Sequence, residues 1–415
     1  MKNNYIFNIE NGPKLVFYQD TTKHSVVANI MIRYGGIHRD FVIDNQEYHM
    51  EDGMAHFLEH LLIEHSIYGN ALTDFHNHYV SCNGNTSTYM TLYYIDTVHD
   101  FEENLLKLIK MVNIPNFTSK DIDVTKYAVI EEIRKNADSK FRNLDIVSKR
   151  CLFHNIKHSN NIGSEAYIQS LEYNDVKLCY DVFYQPNNQV IAICGNFDID
   201  KIKELIEKTY NGLTKKMIQY TIPCFQEPNT VAKKEDILEF DTHQTYTQLN
   251  YKVDISYFSN YEKVKGTFYL DYFLKYNFGI ASDLYKDMVE HKITITDIDI
   301  STGMVDKFLI IEIGAFTEQS ELFVKLVQEK MKEKSFDEED FEIRRIKSII
   351  SLVLREESPY EMLSAFVDNI VTFGYDDIDK IEDIESYTYE DYVHMIEQLD
   401  FSNYCITHIV NKKKQ

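Results

Sequence analysis

The sequence predicts an α+β protein made of two homologous halves, each an antiparallel sheet packed with helices. Short stretches that alternate apolar and polar residues, as half-buried strands do, are mixed with longer stretches of helical period. In addition, the pattern Ile-x-Ser-x-x-Tyr-x-Asp occurs at residues 168–175 and again at residues 384–391, about half the chain apart. A repeat at this offset indicates duplication of one structural unit.

The individual elements follow from these periods. Residues 25–33 and 88–96 have the alternation of antiparallel strands, and residues 101–112 have the period of an amphipathic helix. Each copy of the repeated pattern is followed by a β-type run, at residues 190–194 in the first half and 405–410 in the second. The two halves are therefore expected to end in equivalent strands.

A further helix is predicted from Thr118 to about Ala137. The hydroxyl of Thr118 can cap the first turn, and Asp121, three residues later, can complete a capping box. The far end of this helix carries acidic residues that bear on the candidate site described below.

A largely polar stretch near the midpoint is the predicted boundary between the halves. Pro223 and Pro228 lie within residues 221–231, which lack a sustained helical period. We therefore expect one domain over residues 1–220, a linker over 221–231 and a homologous domain over 232–415. Domains of this length can each bury a hydrophobic core.

Composition excludes several classes of protein. The chain has 43 Lys and Arg against 66 Asp and Glu, for a formal net charge of −23, which disfavours general binding to nucleic-acid phosphates. Aromatic residues make up 13% of the chain, so intrinsic disorder is not expected. Gly and Pro are too scarce for collagen or a linker-rich architecture.

The sequence predicts a soluble cytoplasmic protein with no membrane span. Residues 1–17 contain no apolar stretch of signal-peptide length. The most apolar internal run, 308–316, is interrupted by Glu312 and is far shorter than the roughly 20 residues that span a bilayer. The cysteines form no C-x-x-C pair and are expected to be buried free thiols in a reducing compartment. They are Cys82, Cys151, Cys179, Cys194, Cys224 and Cys405.

The most informative string is His56-Phe-Leu-Glu59-His60. On a helix, His56 and His60 lie one turn apart on the same face with Glu59 beside them, so two imidazoles can share one metal ion next to a carboxylate. The neighbouring residues are apolar and predict a buried helix. The order H-x-x-E-H is the inverted zincin motif. In a chain with 15 His, the string can also arise by chance, so a third ligand is needed to support it.

The predicted helix after Thr118 supplies candidates for that ligand. A hydrolytic zinc site needs three protein ligands and an open position for water. Glu131 and Glu132 lie in an otherwise apolar part of the helix, where acids are rarely buried without a partner. Residue chemistry alone leaves either one possible.

Taken together, these residues resemble the pitrilysin/insulinase family of inverzincin metallopeptidases, specifically its short bacterial members that work as paired subunits. Glu132 lies 72 residues after His60 and fits the family's third ligand in spacing and local pattern. The resemblance implies the duplicated LuxS/insulinase-like metallopeptidase fold and one Zn²⁺ per chain, held by His56, His60 and Glu132. It further implies that Glu59 is the general base in peptide-bond hydrolysis.

The resemblance extends to a predicted substrate-binding strand. Asn83, Gly84, Asn85, Thr86 and Ser87 resemble the edge strand on which the family pairs with substrate backbone. Tyr93-Tyr94 after this strand and Pro186-Asn187-Asn188 before residue 190 also match. Binding by strand addition implies extended, unfolded peptide substrates with loose side-chain specificity.

The chain departs from the family in its second half. Family members take an Arg and a Tyr from that half to bind the substrate carbonyl and stabilise the oxyanion. Residues 284–289 look like the corresponding segment, and the expected donors fall near Val289 and Thr296. No Arg occurs between Arg150 and Arg344. This departure predicts a heterodimer in which a homologous, zinc-less subunit supplies the donors.

Alternatives to that prediction remain open. Lys286 or Lys292 could replace the missing Arg, although an ammonium group lacks the fork geometry of a guanidinium. The chain could instead be a non-catalytic peptide-binding or assembly subunit of the same fold, or a stand-alone homodimeric oligopeptidase. For an active subunit, the bacterial branch suggests processing of a leader or signalling peptide.

Other polar residues near the motif are interpreted as structural. Glu64 follows His60 by one turn and could support the site, but a helix-end carboxylate is the simpler interpretation. Four further histidines are expected to be ordinary surface or core residues. They are His65, His76, His78 and His99.

Overall fold

Groups of strands and groups of helices follow one another along the chain in a computed structural model that describes residues 2–157, 160–213, 217–223, 226–375 and 380–412. The strands are β1 (Lys2–Asn8), β2 (Lys14–Asp20), β3 (Val26–Ile32), β4 (Asp40–Ile43), β5 (Gln46–His49), β6 (Ser81–Thr86), β7 (Thr91–Thr97), β8 (Gln189–Gly195), β9 (Glu235–Phe240), β10 (Tyr246–Asp254), β11 (Asp299–Val305), β12 (Phe308–Phe316) and β13 (Tyr404–Asn411).

The helices complete the inventory. They are α1 (Met54–Glu64), α2 (Ala71–Asn77), α3 (Phe101–Asn113), α4 (Ser119–Ala137), α5 (Lys140–Leu152), α6 (Glu165–Ser170), α7 (Tyr173–Phe183), α8 (Ile199–Asn211), α9 (Asn260–Phe278), α10 (Asp283–Glu290), α11 (Ser320–Glu333), α12 (Glu338–Arg355), α13 (Pro359–Asp368), α14 (Ile381–Glu385) and α15 (Tyr389–Gln398). A 3₁₀ turn covers Pro186–Asn188 and a π-helical turn covers Asn369–Phe373.

The order of elements confirms the predicted duplicated α+β fold. In the first half, once the β4–β5 hairpin is set aside, β3 is followed by α1, α2, β6, β7, α3, α4, α5, α6, α7 and β8. In the second half, β10 is followed by α9, α10, β11, β12, α11, α12, α13, α14, α15 and β13 in the same sequence of types. Tyr173 and Tyr389 of the repeated pattern begin the equivalent helices α7 and α15. The pattern therefore marks the same structural position in both copies.

The described chain forms two units. Unit 1 comprises Met1–Asn136, Asn160–Cys224 and Arg355–Val371, and unit 2 comprises Ala137–Ser159, Phe225–Leu354 and Thr372–Gln415. Each unit therefore consists mainly of one half of the sequence but also contains one helix from the other half. Helix α5 packs on β13 and β9 in unit 2, and α13 packs on β8 and β3 in unit 1.

Unit 1 contains a six-stranded sheet in the order β1-β2-β8-β3-β7-β6, with β4 and β5 forming a separate hairpin. All of its strand pairs are antiparallel except β2 with β8. Strands β3 and β8 are buried along their full length, as central strands covered on both faces are. Strand β6 lies at one end of the sheet, next to α1 and α2.

Unit 2 contains a five-stranded sheet in the order β11-β12-β10-β13-β9. Its pairs are antiparallel except β13 with β9. The hydrophobic core beside this sheet is rich in tyrosine and phenylalanine. Tyr269, Tyr272, Phe341 and Tyr392 pack with ring centroids 5.4–6.4 Å apart.

The predicted elements lie within a few residues of the observed ones. Strands predicted at 25–33 and 88–96 correspond to β3 and β7, and the helix predicted at 101–112 corresponds to α3. Of the predicted capping box at the start of α4, the half contributed by Asp121 is present, whereas the Thr118 hydroxyl donates to Asp121 and does not accept a backbone N–H. The backbone N–H and the hydroxyl of Thr118 each donate a hydrogen bond to Asp121 Oδ2, both at 2.7 Å.

Two further sequence expectations can be compared with the described residues. Within them, no helix has both the length and the apolar composition needed to cross a bilayer. Five cysteines are free thiols, of which Cys82 is half-buried and the other four are buried. Cys224 and the adjoining residue 225 of the predicted linker lie outside the described residues.

Candidate active site

Helix α1 carries the H-x-x-E-H string into the core of unit 1. Phe57, Leu58 and Leu61 on this helix are fully buried in the hydrophobic core. The helix begins after Gly53, which has a φ of 105°. A Cβ at Gly53 would lie 2.8 Å from the carbonyl oxygen of Ile162, so glycine is needed for both conformation and space.

The three predicted metal ligands come together at one point. The Nε2 atoms of His56 and His60 lie 3.6 Å and 3.3 Å from Glu132 Oε2 on α4. One ligand atom from each residue lies within 4.8 Å of the other two. Burial disfavours the charged form of His60, but hydrogen bonds that its ring donates to Glu132 and Glu64 outweigh this and raise the pKa of His60 to about 10.

This arrangement fits a tetrahedral metal ion. Zn²⁺ lies about 2.0–2.2 Å from nitrogen and oxygen ligands, which places neighbouring ligand atoms roughly 3.3 Å apart. The separations of 3.3 Å and 3.6 Å between these atoms in the structure are close to this value. Two imidazoles and one carboxylate also form a donor set used in hydrolytic zinc sites, where the fourth position is left for water.

Glu59 lies beside the three convergent side chains and is 7% exposed. Its Oε2 accepts a hydrogen bond of 2.7 Å from the hydroxyl of Thr86 on β6. Burial is the main cause that raises the pKa of Glu59, and the bond from Thr86 opposes it. A buried carboxyl with a raised pKa is suited to accepting and then releasing a proton.

Strand β6 provides an open sheet edge next to Glu59. It pairs with β7, and no other described strand pairs with its outer side. Gly84 and Thr86 are half-buried, whereas Asn83 and Asn85 are exposed, so the strand alternates its faces. Ser87 lies one residue beyond the strand, where its N–H donates to the carbonyl of Met90.

Gly84 of this strand lies close to two side chains of α1, Glu59 and Ile63. A Cβ at Gly84 would lie 2.7 Å from both Glu59 Oε1 and Ile63 Cδ1. Any larger side chain must therefore displace the Glu59 carboxylate or the Ile63 side chain. The absence of a side chain at Gly84, in the predicted substrate strand, therefore leaves space for the Glu59 carboxylate.

The structure separates the two acids that the sequence left as candidates for the third ligand. Glu132 faces His56 and His60, whereas the Glu131 side chain is 71% exposed and lies 2.8 Å from Arg134 Nη1. Glu131 therefore points away from the two histidines. Whether Glu132 binds a metal ion stays a prediction.

From the sequence, the simpler interpretation of Glu64 was a helix-end carboxylate, but the structure shows a closer relation to the site. Glu64 Oε1 lies 3.2 Å from Nδ1 of His60, so this carboxylate contacts a predicted ligand directly. The i, i+4 spacing on a helix was a signal for this contact. Of the four histidines interpreted as ordinary surface or core residues, His65 pairs with Asp121 at 3.2 Å. It does not belong to the metal-ligand cluster, the group of convergent side chains formed by His56, His60 and Glu132.

The positions where donors were expected lie in unit 2. Val289 is in α10 and 44% exposed, and Thr296 lies between α10 and β11. Lys286 Nζ is 3.2 Å from Asp283 Oδ1, and Lys292 has a φ of 55° with its carbonyl bonded to Gln319. Neither lysine can be assigned a role from these contacts, and the absence of an Arg–Tyr pair stays a sequence-based expectation.

Two family models match successive parts of the chain. Residues 15–153 match the model of the insulinase family (peptidase family M16), and residues 170–348 match the model of the peptidase M16 inactive domain. The chain is 31% identical over 175 residues to an uncharacterized zinc protease, YmfH, of Bacillus subtilis. It is 25% identical over 170 residues to a non-peptidase homolog, YmxG, of Helicobacter pylori. These matches cover 40% and 38% of the lengths of the two relatives.

A solved structure has the same fold over its whole length. The crystal structure of an M16-like peptidase from Alicyclobacillus acidocaldarius superposes with a TM-score of 0.88 at 20% identity and covers 99% of both chains. At this identity the likeness shows the fold alone. The two family models, which between them span most of residues 15–348, show that the chain belongs to the insulinase family, peptidase family M16.

Proposed function

We propose that the chain is a zinc-dependent endopeptidase subunit that hydrolyses extended, unfolded peptides. The observation that supports this most directly is the convergence of His56, His60 and Glu132 beside the buried Glu59. The open edge of β6 lies next to the same carboxylate through Thr86. In the proposal, the metal ligands, the general base and the peptide-binding edge would therefore all lie within one unit.

In this proposal, His56, His60 and Glu132 would hold one Zn²⁺. The ion would supply Lewis-acid chemistry, polarising the scissile carbonyl and making water more acidic. Glu59 takes a proton from the attacking water and later passes it to the leaving amine. Thr86 holds one oxygen of Glu59, which leaves the other oxygen to face the reacting water.

The substrate would bind as an added strand along β6. Backbone hydrogen bonds to the open edge give affinity that depends little on side chains, and they require an extended peptide. Asn83 and Asn85 point away from α1, so they would contact the alternate side chains of the substrate. Leader or signalling peptides are the first natural substrates to test, and folded proteins are expected to resist cleavage.

We also propose that full activity needs a homologous, zinc-less partner chain. Oxyanion stabilisation requires preorganised donors, and loss of one such donor typically lowers the rate by about 10²–10³-fold. Residues 151–343 contain no arginine that could act as one. A heterodimer in which the partner supplies these donors accounts for that absence.

A non-catalytic peptide-binding or assembly subunit is the second candidate. The match to a protein named as a non-peptidase homolog favours it, as does the missing Arg. Zinc content separates the two candidates, because a subunit without catalysis has no need of a stoichiometric metal ion. A stand-alone homodimeric oligopeptidase would instead show activity without a partner.

The proposal is tested by incubating the zinc-loaded chain with a pool of unfolded peptides and following cleavage by mass spectrometry. The chain is tested alone and with a homologous partner, each with and without a zinc chelator. Chelator-sensitive cleavage that rises with the partner supports the proposed heterodimer. Chelator-sensitive cleavage that is equally fast with and without a partner would support the homodimer. Cleavage that is absent or insensitive to the chelator, both with and without the partner, would contradict the enzymatic proposal.

Gly84→Ala is expected to lower kcat by about 10²-fold, the size of effect reported for small misplacements of a catalytic group. The added Cβ would lie 2.7 Å from Glu59 Oε1, so the carboxylate must move away from the reacting water. None of the three predicted metal ligands contacts Gly84 in this way, so zinc content should not change. Steady-state kinetics with metal analysis measures both quantities.

Gly303→Ala is the matched control for this substitution. Gly303 lies in β11, the equivalent strand of unit 2, and a Cβ there would meet no atom within 4 Å. This variant should keep normal kcat. Equal losses in both variants would show that strand flexibility, and not displacement of Glu59, is responsible.

A further inference from the structure

The imidazole of His60 lies between two carboxylates. Its Nε2 is 3.3 Å from Glu132 Oε2, on the side where the predicted ligands converge. Its Nδ1 is 3.2 Å from Oε1 of Glu64, which follows one turn later on α1. Since each ring nitrogen has its own acidic neighbour, the orientation of the ring is fixed from both sides.

Glu64 is itself held by the helix that carries the third predicted ligand. The hydroxyl of Thr125 on α4 donates to Glu64 Oε2 at 3.3 Å, and Thr125 is fully buried. Thr125 precedes Glu132 by seven residues, which is two helical turns, so both side chains lie on the same face of α4. Glu64 therefore connects α1 and α4 next to the metal-ligand cluster.

The surroundings of Glu64 keep its carboxylate in place. His65 Nε2 is 4.0 Å from Glu64 Oε2, and His65 Nδ1 is 3.2 Å from Oδ1 of Asp121. Asp121 in turn accepts the hydrogen bonds of Thr118 that begin α4. The side chain of Glu64 is only 26% exposed, so water competes little for its oxygens.

We propose that Glu64 is a positioning residue that holds His60 in the tautomer and orientation needed to bind zinc through Nε2. This inference rests on the proposed zinc function. A histidine that binds a metal through Nε2 carries its proton on Nδ1, and a carboxylate that accepts this N–H stabilises that form of the ring. Removal of such outer partners typically weakens metal binding by about 10–100-fold.

The simpler interpretation is that Glu64 is only a helix-end carboxylate that supports α1. It makes a different prediction, because loss of the carboxylate would then lower the stability of unit 1 without changing zinc affinity. Glu64→Gln distinguishes the two interpretations. The amide oxygen of Gln can still accept the bond from Nδ1–H of His60, so this variant should retain most of the affinity that Glu64→Ala loses.

The test is the zinc dissociation constant of the full chain, measured by competition with a chromogenic chelator. We expect binding about 10–100-fold weaker for Glu64→Ala, a smaller loss for Thr125→Val, and substantial recovery in Glu64→Gln. Glu131→Gln is the control, since Glu131 adjoins Glu132 in sequence but is paired with Arg134 on the exposed side of α4. It should bind zinc like the unmodified chain.

The absorption spectrum of the cobalt-substituted protein gives a second readout, since a change in the orientation of one imidazole alters the d–d bands. Normal zinc affinity and a normal cobalt spectrum in folded Glu64→Ala would overturn the inference and leave the proposed function intact. Failure of the unmodified chain to bind zinc would contradict the proposed function itself. The two failures are therefore distinguishable.

Discussion

Glu59→Gln is expected to lower peptide hydrolysis by about 10²–10⁴-fold, the usual contribution of general acid–base catalysis. Glutamine has almost the same shape and can still accept the hydrogen bond from Thr86, so α1 and β6 should keep their positions. It cannot take a proton from water at neutral pH. Because Glu59 is not among the convergent ligand atoms, zinc content should remain at one ion per chain.

His60→Ala provides the contrasting variant. It removes one of three predicted ligands, and we expect both zinc and activity to be lost. Metal analysis together with mass-spectrometric cleavage of unfolded peptides separates the two effects. Retained turnover in Glu59→Gln would show that another group is the general base, and retained zinc in His60→Ala would show that the ligand set is wrong.

The candidate site was predictable where its residues depend on helix spacing. His56, Glu59 and His60 are close in sequence, and a helix brings them to one face whatever the rest of the fold does. Glu132 is 72 residues away from His60, and only a family resemblance selected it over Glu131. Neighbouring residues on a helix point in different directions, so Glu131 and Glu132 cannot both face the two histidines. In the structure, Glu131 is exposed and paired with Arg134.

The contacts that support the site were harder to predict. Glu64 and Thr125 are joined by a hydrogen bond between two helices that are far apart in sequence. Likewise, the space that Gly84 leaves for Glu59 depends on how closely β6 packs on α1. Periodicity shows which face of an element is buried, but it does not show which buried face meets which, so these contacts required the structure.

The same limit applies to the fold. The repeated pattern and the strand periods predicted two α+β halves, and the observed order of elements agrees. Helices α5 and α13 nevertheless pack in the unit formed mainly by the other half of the sequence. Both are short amphipathic helices with a buried face, and such a face does not specify the sheet on which it packs.

Glu227→Gln is expected to destabilise unit 2 by about 3–5 kcal/mol, the usual effect of removing one partner of a buried ion pair. Lys252 Nζ lies 2.7 Å from Glu227 Oε1, and both side chains are fully buried. Glu227 also accepts the backbone N–H groups of His154, Asn155 and Ile156 after α5. The pair therefore connects β10 with the chain that leaves α5.

The surroundings of Lys252 explain why the charge matters. Its ammonium group donates to the carbonyls of Leu152 and Thr230 and lies 4.9 Å and 4.6 Å from the ring centroids of Phe153 and Phe308. These groups attract a cation but supply no full negative charge. Loss of Glu227 therefore leaves the ammonium buried without a counter-ion, which is costly in a site of low dielectric constant.

The loss of folding stability expected for Glu227→Gln should also depend on pH. Burial alone would raise the pKa of Glu227, but bonds from Lys252 and from the three backbone N–H groups hold that pKa below its usual value. A carboxyl whose pKa is lower in the folded state stabilises the protein at pH values above its unfolded pKa, which is about 4.3, and this contribution is lost as pH falls. The difference in stability between the unmodified chain and Glu227→Gln should therefore shrink on acidification.

Urea unfolding followed by circular dichroism at pH 7 and at several acidic pH values measures this difference. Lys275→Met is the control, because Lys275 forms an ion pair of similar length with Asp271, at 2.9 Å, in which both side chains are about half exposed. Such surface pairs contribute about 0–1 kcal/mol. A cost for Glu227→Gln no larger than that of Lys275→Met would show that water or backbone rearrangement replaces the buried pair. A cost that does not change with pH would show that Glu227 contributes through packing and not through its charge.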